Sequence, residues 1–193
     1  MAKIKLILKV ILRKLSQLIY ILRYCRFFPN IYIGQRSKVV NAKFIHFGKN
    51  VNIQPDTLVI LHNKKETLSI GNGCDIGRFS RIAAMHRIIL EDNVFTGPNV
   101  FICDYNHSYE NIDIPIKAAG EKVSTEGVSI GRDSWIGTNS VIVGNVSIGK
   151  HCVIGANSVV TKNIPDYCVA VGAPAKVIKK YNFHKKSWEI VDK

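Results

Sequence analysis

An aliphatic residue returns at every sixth position between Val128 and Pro165, and this period restricts the possible folds more than any other feature of the chain. The repeated positions are Ile130, Ile136, Ile142, Ile148, Ile154 and Val160. Glycine follows most of them, and a small or medium-sized residue comes four places after each of the first five: Ser134, Ser140, Val146, Cys152 and Ser158. Six residues are too few for a helical hairpin, but they suit one short strand and a corner.

Three such strands close a triangular coil of about eighteen residues, and stacked coils pair their strands in parallel around a column of aliphatic side chains. The repeat therefore predicts an all-β fold, a parallel β-helix. The rhythm begins near Ile31, is interrupted by a loop over Leu61–Thr67 and resumes at Ile70. We expect residues 31–171 to form about five coils with a ragged first one, and residues 172–193 to form a short C-terminal tail.

One long insertion interrupts the repeat, over residues 104–127. Coil stacking does not require such a segment, and insertions at a solenoid corner often carry function. It contains the run Asp104-Tyr105-Asn106-His107-Ser108-Tyr109-Glu110, which is both polar and aromatic. We predict that it is a binding loop.

Residues 1–30 carry much of the positive charge of the chain, whose formal net charge is +13. Lys and Arg alternate there with Ile and Leu at helical spacing, which predicts a basic amphipathic helix. Charges interrupt it too often for a transmembrane span or a signal peptide. The sequence leaves two interpretations open: a helix on an anionic membrane surface, or a cap on the end of the solenoid.

Cysteine usage and the type of charge bound the compartment and the partners. Five scattered cysteines, an odd number, favour a reducing compartment, and we expect a cytoplasmic protein. No CxxC motif or His/Cys cluster predicts a metal site. The basic residues alternate mainly with aliphatic side chains, which disfavours nucleic acid as a partner.

Several motifs resemble those of one family over nearly all of the chain after residue 30. They are Gly97-Pro98-Asn99-Val100 followed by His107, Trp135-Ile136-Gly137, Ile154-Gly155-Ala156 running on to Lys162, and Gly172-Ala173-Pro174-Ala175-Lys176. The chain is similar to the hexapeptide-repeat acyltransferases, and within them to the sugar O-acetyltransferases. The resemblance implies a left-handed coil and transfer of acetyl from acetyl-CoA, a co-substrate, with no bound cofactor. It also implies a homotrimer whose active sites lie between subunits.

The same resemblance gives His107 the role of catalytic base, a task that suits an imidazole near neutral pH. Asp104 could hold that ring in its useful tautomer, or it could be a corner-capping residue bonded to its own loop. We expect Asn106 and Tyr109 to contact the acceptor. His86 could line the acceptor pocket or be a solvated corner residue. Four further histidines match no motif and are expected to be solvated: His46, His62, His151 and His184.

The donor site follows from matching positions, which are Thr138, Ala156, Thr161, Lys162, Lys176 and Lys179. Small residues would let the pantetheine arm approach the backbone, and lysines would meet its phosphates. The sugar acceptor, which could be lipid-linked, would belong to a bacterial surface polysaccharide. Two alternatives stay open: N-acetylation of a nucleotide-linked amino sugar, and a non-catalytic solenoid that only binds partners. The zinc-dependent carbonic anhydrases that share this architecture are disfavoured, because position 112 is Ile where they need a histidine.

Overall fold

The computed structural model describes residues 30–191, which form a three-sided coil of short parallel strands with one antiparallel arm. Face A contains β1 (Ile31–Ile33), β4 (Val51–Ile53), β7 (Asp75–Ile76), β10 (Phe95–Thr96), β15 (Trp135–Ile136), β18 (Val153–Ile154) and β20 (Cys168–Val171). Face B contains β2 (Lys38–Val40), β5 (Leu58–Leu61), β8 (Arg81–Ala84), β11 (Phe101–Cys103), β16 (Val141–Val143) and β19 (Val159–Val160). Face C contains β3 (His46–Phe47), β6 (Thr67–Ile70), β9 (Arg87–Leu90), β14 (Val128–Ile130) and β17 (Val146–Ile148).

The predicted inward residues form the core of the coil. Ile136, Ile142 and Ile154 are completely buried; Ile136 is paired with Ile154 on face A, and Ile142 with Val160 on face B. The small inward residues do more than save space. Ser134 donates its hydroxyl to the carbonyl of Gly149 at 2.9 Å and accepts the N–H of Cys152 at 2.9 Å, so it joins one coil to the next. Because these groups are buried, their hydrogen bonds must be made within the protein.

The corners turn through residues in the left-handed conformation, several of which are asparagines. At the edge between faces A and B, Asn99, Asn139 and Asn157 each have a φ of 58°. Their side-chain amides form a ladder: Asn99 donates to Asn139 at 2.8 Å, and Asn139 donates to Asn157 at 3.0 Å. Asparagine therefore serves both the backbone conformation and the contact between coils.

The coil count was underestimated. Seven parallel strands on face A mark about seven turns in the described part of the chain, where the sequence predicted about five. The early coils were hard to count because each is longer than three six-residue units. Ile31 pairs with Val51, and Asn52 pairs with Asp75. The extra residues form loops at the edge between faces B and C, including the 3₁₀ turn Ala42–Phe44.

The C-terminal segment is a β-hairpin, which corrects the predicted short tail. Strand β21 (Lys176–Asn182) extends face A by antiparallel pairing with β20, and β22 (Ser187–Ile190) pairs antiparallel with β21. Tyr181 and Trp188 contact each other across the hairpin at a centroid distance of 5.5 Å, and Phe183 contacts Tyr167 of the last coil at 4.8 Å. Such edge-to-face contacts add to the area that the rings bury.

The basic helix predicted for residues 1–30 falls, except for its last residue, outside the described residues. Within residues 30–191, no helix is long and apolar enough to cross a membrane.

Candidate active site

The insertion is an ordered arm that leaves the edge between faces B and C. Strand β12 (Tyr105–His107) pairs antiparallel with β13 (Glu121–Val123), which places His107 directly opposite Glu121. Two backbone bonds extend this ladder, from the Ser108 N–H to Gly120 at 2.9 Å and from the Ser124 N–H to Asp104 at 2.8 Å. The sequence predicted a binding loop here, and the structure shows that the base of this loop is a hairpin.

An ion pair closes the hairpin. The carboxylate of Glu110 accepts a short hydrogen bond from the Lys122 ammonium, which reaches across from β13. This bond lowers the pKa of Glu110 to about 2 and raises the pKa of Lys122. Both groups therefore remain charged at neutral pH, and the pair links the start of the outer loop to the returning strand. The outer loop itself is exposed and includes the 3₁₀ turn Ile116–Ala118.

His107 lies at the end of β12 and is exposed. Its backbone N–H donates to the side-chain oxygen of Asn106 at 2.9 Å, so that amide oxygen supports the local backbone. Among the described residues, no hydrogen bond or ion pair engages the imidazole. Its nitrogens are therefore available to accept or donate a proton, as a catalytic base requires. Tyr109 is also exposed, at 61%, two places further along the arm.

Asp104 serves the corner and does not orient His107. Its side chain is completely buried, and its oxygens accept the backbone N–H groups of Met85 at 2.7 Å, His86 at 2.8 Å and Arg87 at 2.5 Å. The predicted contact with the imidazole is wrong because the carboxylate points inward at the end of β11, toward the preceding coil. Asp104 thus caps a corner, but the capped backbone belongs to the preceding coil and not, as the second interpretation had it, to its own loop.

Polar side chains line the same edge beside the arm. His86 is half-buried, with Nδ1 3.1 Å from a carboxylate oxygen of Glu66. The Tyr105 hydroxyl lies 3.2 Å from Nε2 of His62, whose ring stands edge-on to the phenol. The sequence treated His62 as solvated and did not single out Glu66 or Tyr105. The register of the coils could have predicted this grouping, because the loop over Leu61–Thr67 and the arm leave the coil at the same edge.

The predicted donor residues divide between two edges of the coil. Thr138 and Ala156 lie between faces A and B and are stacked, since the Asn157 N–H donates to the Thr138 carbonyl at 2.9 Å. Thr161 and Lys162 follow β19 and therefore lie on the edge between faces B and C, the same edge as the arm. Lys176 and Lys179 are exposed on β21 of the C-terminal hairpin. Within one chain, Thr138 and Ala156 are therefore separated from Thr161 and Lys162 by the width of face B.

The outer surface of face B differs from that of face C. On face B the outward residues are mostly apolar and only partly exposed: Leu58, Ile60, Phe101, Val141, Val143 and Val159. On face C, outward positions carry residues such as Ser69, Ser129 and Ser147. Face B is therefore suited to contact with protein, and face C to contact with water.

Thiol and metal chemistry find no setting in the described residues. Cys74, Cys103, Cys152 and Cys168 are free and buried. Burial raises the pKa of each of these thiols, that of Cys74 to about 11. Within residues 30–191, no group of His, Cys, Asp and Glu side chains could hold a metal ion.

Comparison with known proteins decides the family. Residues 127–162 match the family model described as bacterial transferase hexapeptide (six repeats). The chain is 31% identical over 166 residues to the galactoside O-acetyltransferase of Escherichia coli, covering 83% of this chain and 75% of that protein. It is 30% identical to WbbJ of Escherichia coli, named for O-acetyl transfer in lipopolysaccharide biosynthesis, over 77% of this chain and 78% of WbbJ. The chain belongs to the hexapeptide-repeat acyltransferase family.

A third relative of this family is longer. The chain is 35% identical over 145 residues to a protein of Mycobacterium tuberculosis named a probable acetyltransferase, and the match covers 75% of this chain. The chain spans about half of that relative's length, as 46% of it is covered.

Two solved structures share this fold. A maltose O-acetyltransferase from Clostridium difficile is 32% identical, with a TM-score of 0.54 and coverage of 78% of this chain and 66% of that one. A mutant of AntD, an N-acyltransferase from Bacillus cereus in complex with dTDP and coenzyme A, has a TM-score of 0.65 at 23% identity, covering 78% and 81%. The second likeness concerns the fold alone.

Proposed function

We propose that the protein is an acetyl-CoA-dependent O-acetyltransferase that modifies a sugar hydroxyl during synthesis of a bacterial surface polysaccharide. The observation that carries the proposal is the unengaged imidazole of His107, held on an ordered arm at the same edge as Thr161 and Lys162. The names of the galactoside, maltose and lipopolysaccharide relatives support transfer to a hydroxyl.

Direct transfer accounts for the chemistry with these residues. The unprotonated ring nitrogen of His107 accepts the proton of the acceptor hydroxyl as its oxygen attacks the thioester carbonyl. A C–O bond forms, the C–S bond breaks, and the imidazolium returns the proton to the thiolate of CoA. Acetyl-CoA is a co-substrate here, and the chain supplies the base and the positioning of both substrates.

The divided donor residues support a groove shared between two copies of the chain. If Thr138 and Ala156 of one copy face Thr161 and Lys162 of the next, the two edges meet around one ligand. Face B, with its apolar outward side chains, offers the contact surface between copies. A homotrimer closes this head-to-tail contact by threefold symmetry and places His107 at each boundary.

Lysines at three donor positions suit the phosphates of CoA. Lys162, Lys176 and Lys179 are exposed and placed at or beside the two edges. An ammonium group meets a phosphate as a point charge, without the bidentate geometry of arginine. Replacing Lys176 by Ala should raise KM for acetyl-CoA with little change in kcat.

We place the protein in the cytoplasm, where acetyl-CoA is available, with residues 1–30 in contact with the anionic inner face of the membrane. Lys and Arg would meet lipid headgroups there, and aliphatic side chains would insert between them. That position would bring the enzyme to lipid-linked acceptors. Co-sedimentation with phosphatidylglycerol vesicles should be lost when residues 1–28 are deleted, and undiminished binding would favour the cap.

The activity is tested with the purified full chain, acetyl-CoA and a panel of galactosides, maltose and nucleotide-linked amino sugars. Thiol release measures turnover, and hydroxylamine distinguishes the products, because it cleaves acetyl esters quickly and amides slowly. We expect a hydroxylamine-labile product from a hydroxyl acceptor. A stable amide formed only from the amino sugars would establish N-acetylation instead, and absence of turnover with every acceptor class would favour a binding protein.

A further inference from the structure

The arm carries a carboxylate that the sequence did not single out, directly across the hairpin from the candidate base. Glu121 on β13 is the registered partner of His107 on β12. Residues directly opposite in an antiparallel pair project from the same face of the ladder. The two side chains therefore share one face of the arm.

The ladder places this pair at its closer spacing. Backbone bonds from Ser108 to Gly120 and from Ser124 to Asp104 define hydrogen-bonded pairs at the two ends of the hairpin. Hydrogen-bonded and non-hydrogen-bonded pairs alternate along an antiparallel ladder, which makes His107 and Glu121 a non-hydrogen-bonded pair. In such pairs the Cβ atoms lie about 4.5–5.5 Å apart, and a glutamate and an imidazole can then meet by rotation of their side chains.

The surroundings leave both groups free for this contact. Among the described residues, no hydrogen bond or ion pair engages the imidazole of His107 or the carboxylate of Glu121. Both residues are exposed. Two other carboxylates of this region are already engaged: Asp104 accepts three backbone N–H groups, and Glu110 is paired with Lys122.

Tyr105 shares the face of the ladder that carries His107 and Glu121. It lies on the same strand as His107, two residues away, and thus on the same face. Burial raises the pKa of the Tyr105 phenol, and the negative charge of Glu121 is among the smaller contributions in the same direction. The carboxylate therefore lies within electrostatic reach of this face.

We infer that Glu121 is a positioning residue for His107: its carboxylate accepts the N–H of one ring nitrogen and so presents the lone pair of the other to the acceptor hydroxyl. The inference rests on the proposed function. The two side chains do not hydrogen-bond in the structure of the single chain, and such catalytic contacts commonly tighten only when substrates bind. A third group that orients the base is a recurrent feature of proton-transfer sites.

The test compares Glu121→Gln with Asp113→Asn, which neutralises another exposed carboxylate of the arm. Glu121→Gln should lower kcat about 10- to 100-fold, with KM for acetyl-CoA unchanged, because a disordered base contributes less of its usual acceleration. Loss of the carboxylate also removes an electrostatic partner of the imidazolium, so the acidic limb of the rate profile should move to lower pH. Asp113→Asn should match the parent protein, and Glu121→Asp should recover part of the rate.

A second readout needs no acceptor. Nitrogen NMR of the His107 ring in the complex with CoA should show one dominant neutral tautomer in the parent protein and a mixture in Glu121→Gln. Tyr105, two places before His107 on β12, and His62, which contacts the Tyr105 hydroxyl, are unchanged in this variant. Unaltered tautomers and rates in Glu121→Gln, beside an inactive His107→Ala, would overturn the positioning role alone. Equal losses in Glu121→Gln and Asp113→Asn, with unchanged tautomers, would overturn it too. Full activity of His107→Ala would instead overturn the proposed function.

Discussion

Replacing Asp104 should destabilise the protein far more than it affects the chemistry of the folded enzyme. The buried carboxylate accepts three backbone N–H groups at 2.5–2.8 Å, from Met85, His86 and Arg87. Hydrogen bonds to a charged group contribute about 1.5–3 kcal/mol each, and a buried donor left without a partner costs about 1–3 kcal/mol. Three lost bonds cost at least about 3 kcal/mol on these values, and removing one partner of a buried charged contact typically costs about 3–5 kcal/mol. We expect Asp104→Ala to lower the free energy of unfolding by about 3–5 kcal/mol.

Asparagine should have an intermediate effect. One carboxylate oxygen accepts the N–H groups of both His86 and Arg87, and the other accepts that of Met85. An amide oxygen in the first position would keep two bonds, while its NH₂ group would face the N–H of Met85. Asp104→Asn should thus cost about 1–3 kcal/mol, less than Asp104→Ala.

Urea denaturation at a fixed protomer concentration measures these differences, because oligomer stability depends on concentration. Turnover is then measured well below the unfolding midpoint and expressed per folded molecule. We expect both variants to retain turnover within about threefold of the parent, since the carboxylate does not touch the His107 ring. The opposite result would show that Asp104 takes part in catalysis. In that case Asp104→Asn would be as stable as the parent protein but would lose more than about a hundredfold in rate, the usual scale for general-base catalysis.

Three further predictions concern the arm and the coil. Because the folded pKa of Glu110 is about 2, below its ordinary value of 4.5, the ion pair with Lys122 should protect the arm fully above pH 5 and lose that effect between about pH 4.5 and pH 2. Proteolysis of the arm by pepsin across that range should therefore become faster as the pH falls. A rate that does not change with pH, or the same rise in Glu110→Gln, would contradict this prediction. Gly127→Ala should lower the free energy of unfolding by several kcal/mol, since Gly127 has a φ of +77° and a Cβ there would lie 2.0 Å from the Arg87 carbonyl oxygen. An unchanged midpoint of urea denaturation would contradict this prediction. Cys74, with a pKa raised to about 11 by burial, should resist a disulfide reagent at pH 8 until the protein is unfolded, as mass mapping of labelled peptides can show, and rapid labelling of the native protein would contradict the burial argument.

The coil was predictable from sequence because each repeat meets the same local demand. An inward aliphatic residue, a small inward partner and a corner residue recur at fixed spacing, so the pattern from Val128 to Pro165 identifies the fold from a short stretch. The same pattern was less informative near the N-terminal end. Ile33, Val39 and Ile45 keep the six-residue spacing, but the count then restarts two places later at Phe47, Ile53 and Val59.

The arm and the C-terminal hairpin were not predictable in the same way. Strands β12 and β13 have three residues each, and an outer loop separates them, so no periodicity announces their pairing. The segment after Lys176 contains many lysines and resembles a solvated tail, although Tyr181 and Trp188 supply the packing that holds it. Contacts across sequence decide these elements, and local pattern does not record such contacts.

The candidate site divides along the same line. His107 was found by its motif and its place in the insertion, which are properties of the sequence. The direction of the Asp104 side chain and the position of Glu121 depend on the coil and on hairpin register, so only the structure reveals them. The edge shared by the arm, Thr161 and Lys162 likewise follows from the order of the three faces.

The most direct test of the account is a comparison of acetyl-CoA binding and acetyl transfer in His107→Ala. Calorimetry of the full chain measures the binding, and thiol release in the presence of the best hydroxyl acceptor measures the transfer. We expect the dissociation constant for acetyl-CoA to stay within about threefold of that of the parent protein. The transfer rate should fall by roughly 10²–10⁴-fold, the usual contribution of a general base. A transfer rate close to that of the parent protein, with binding intact, would contradict it.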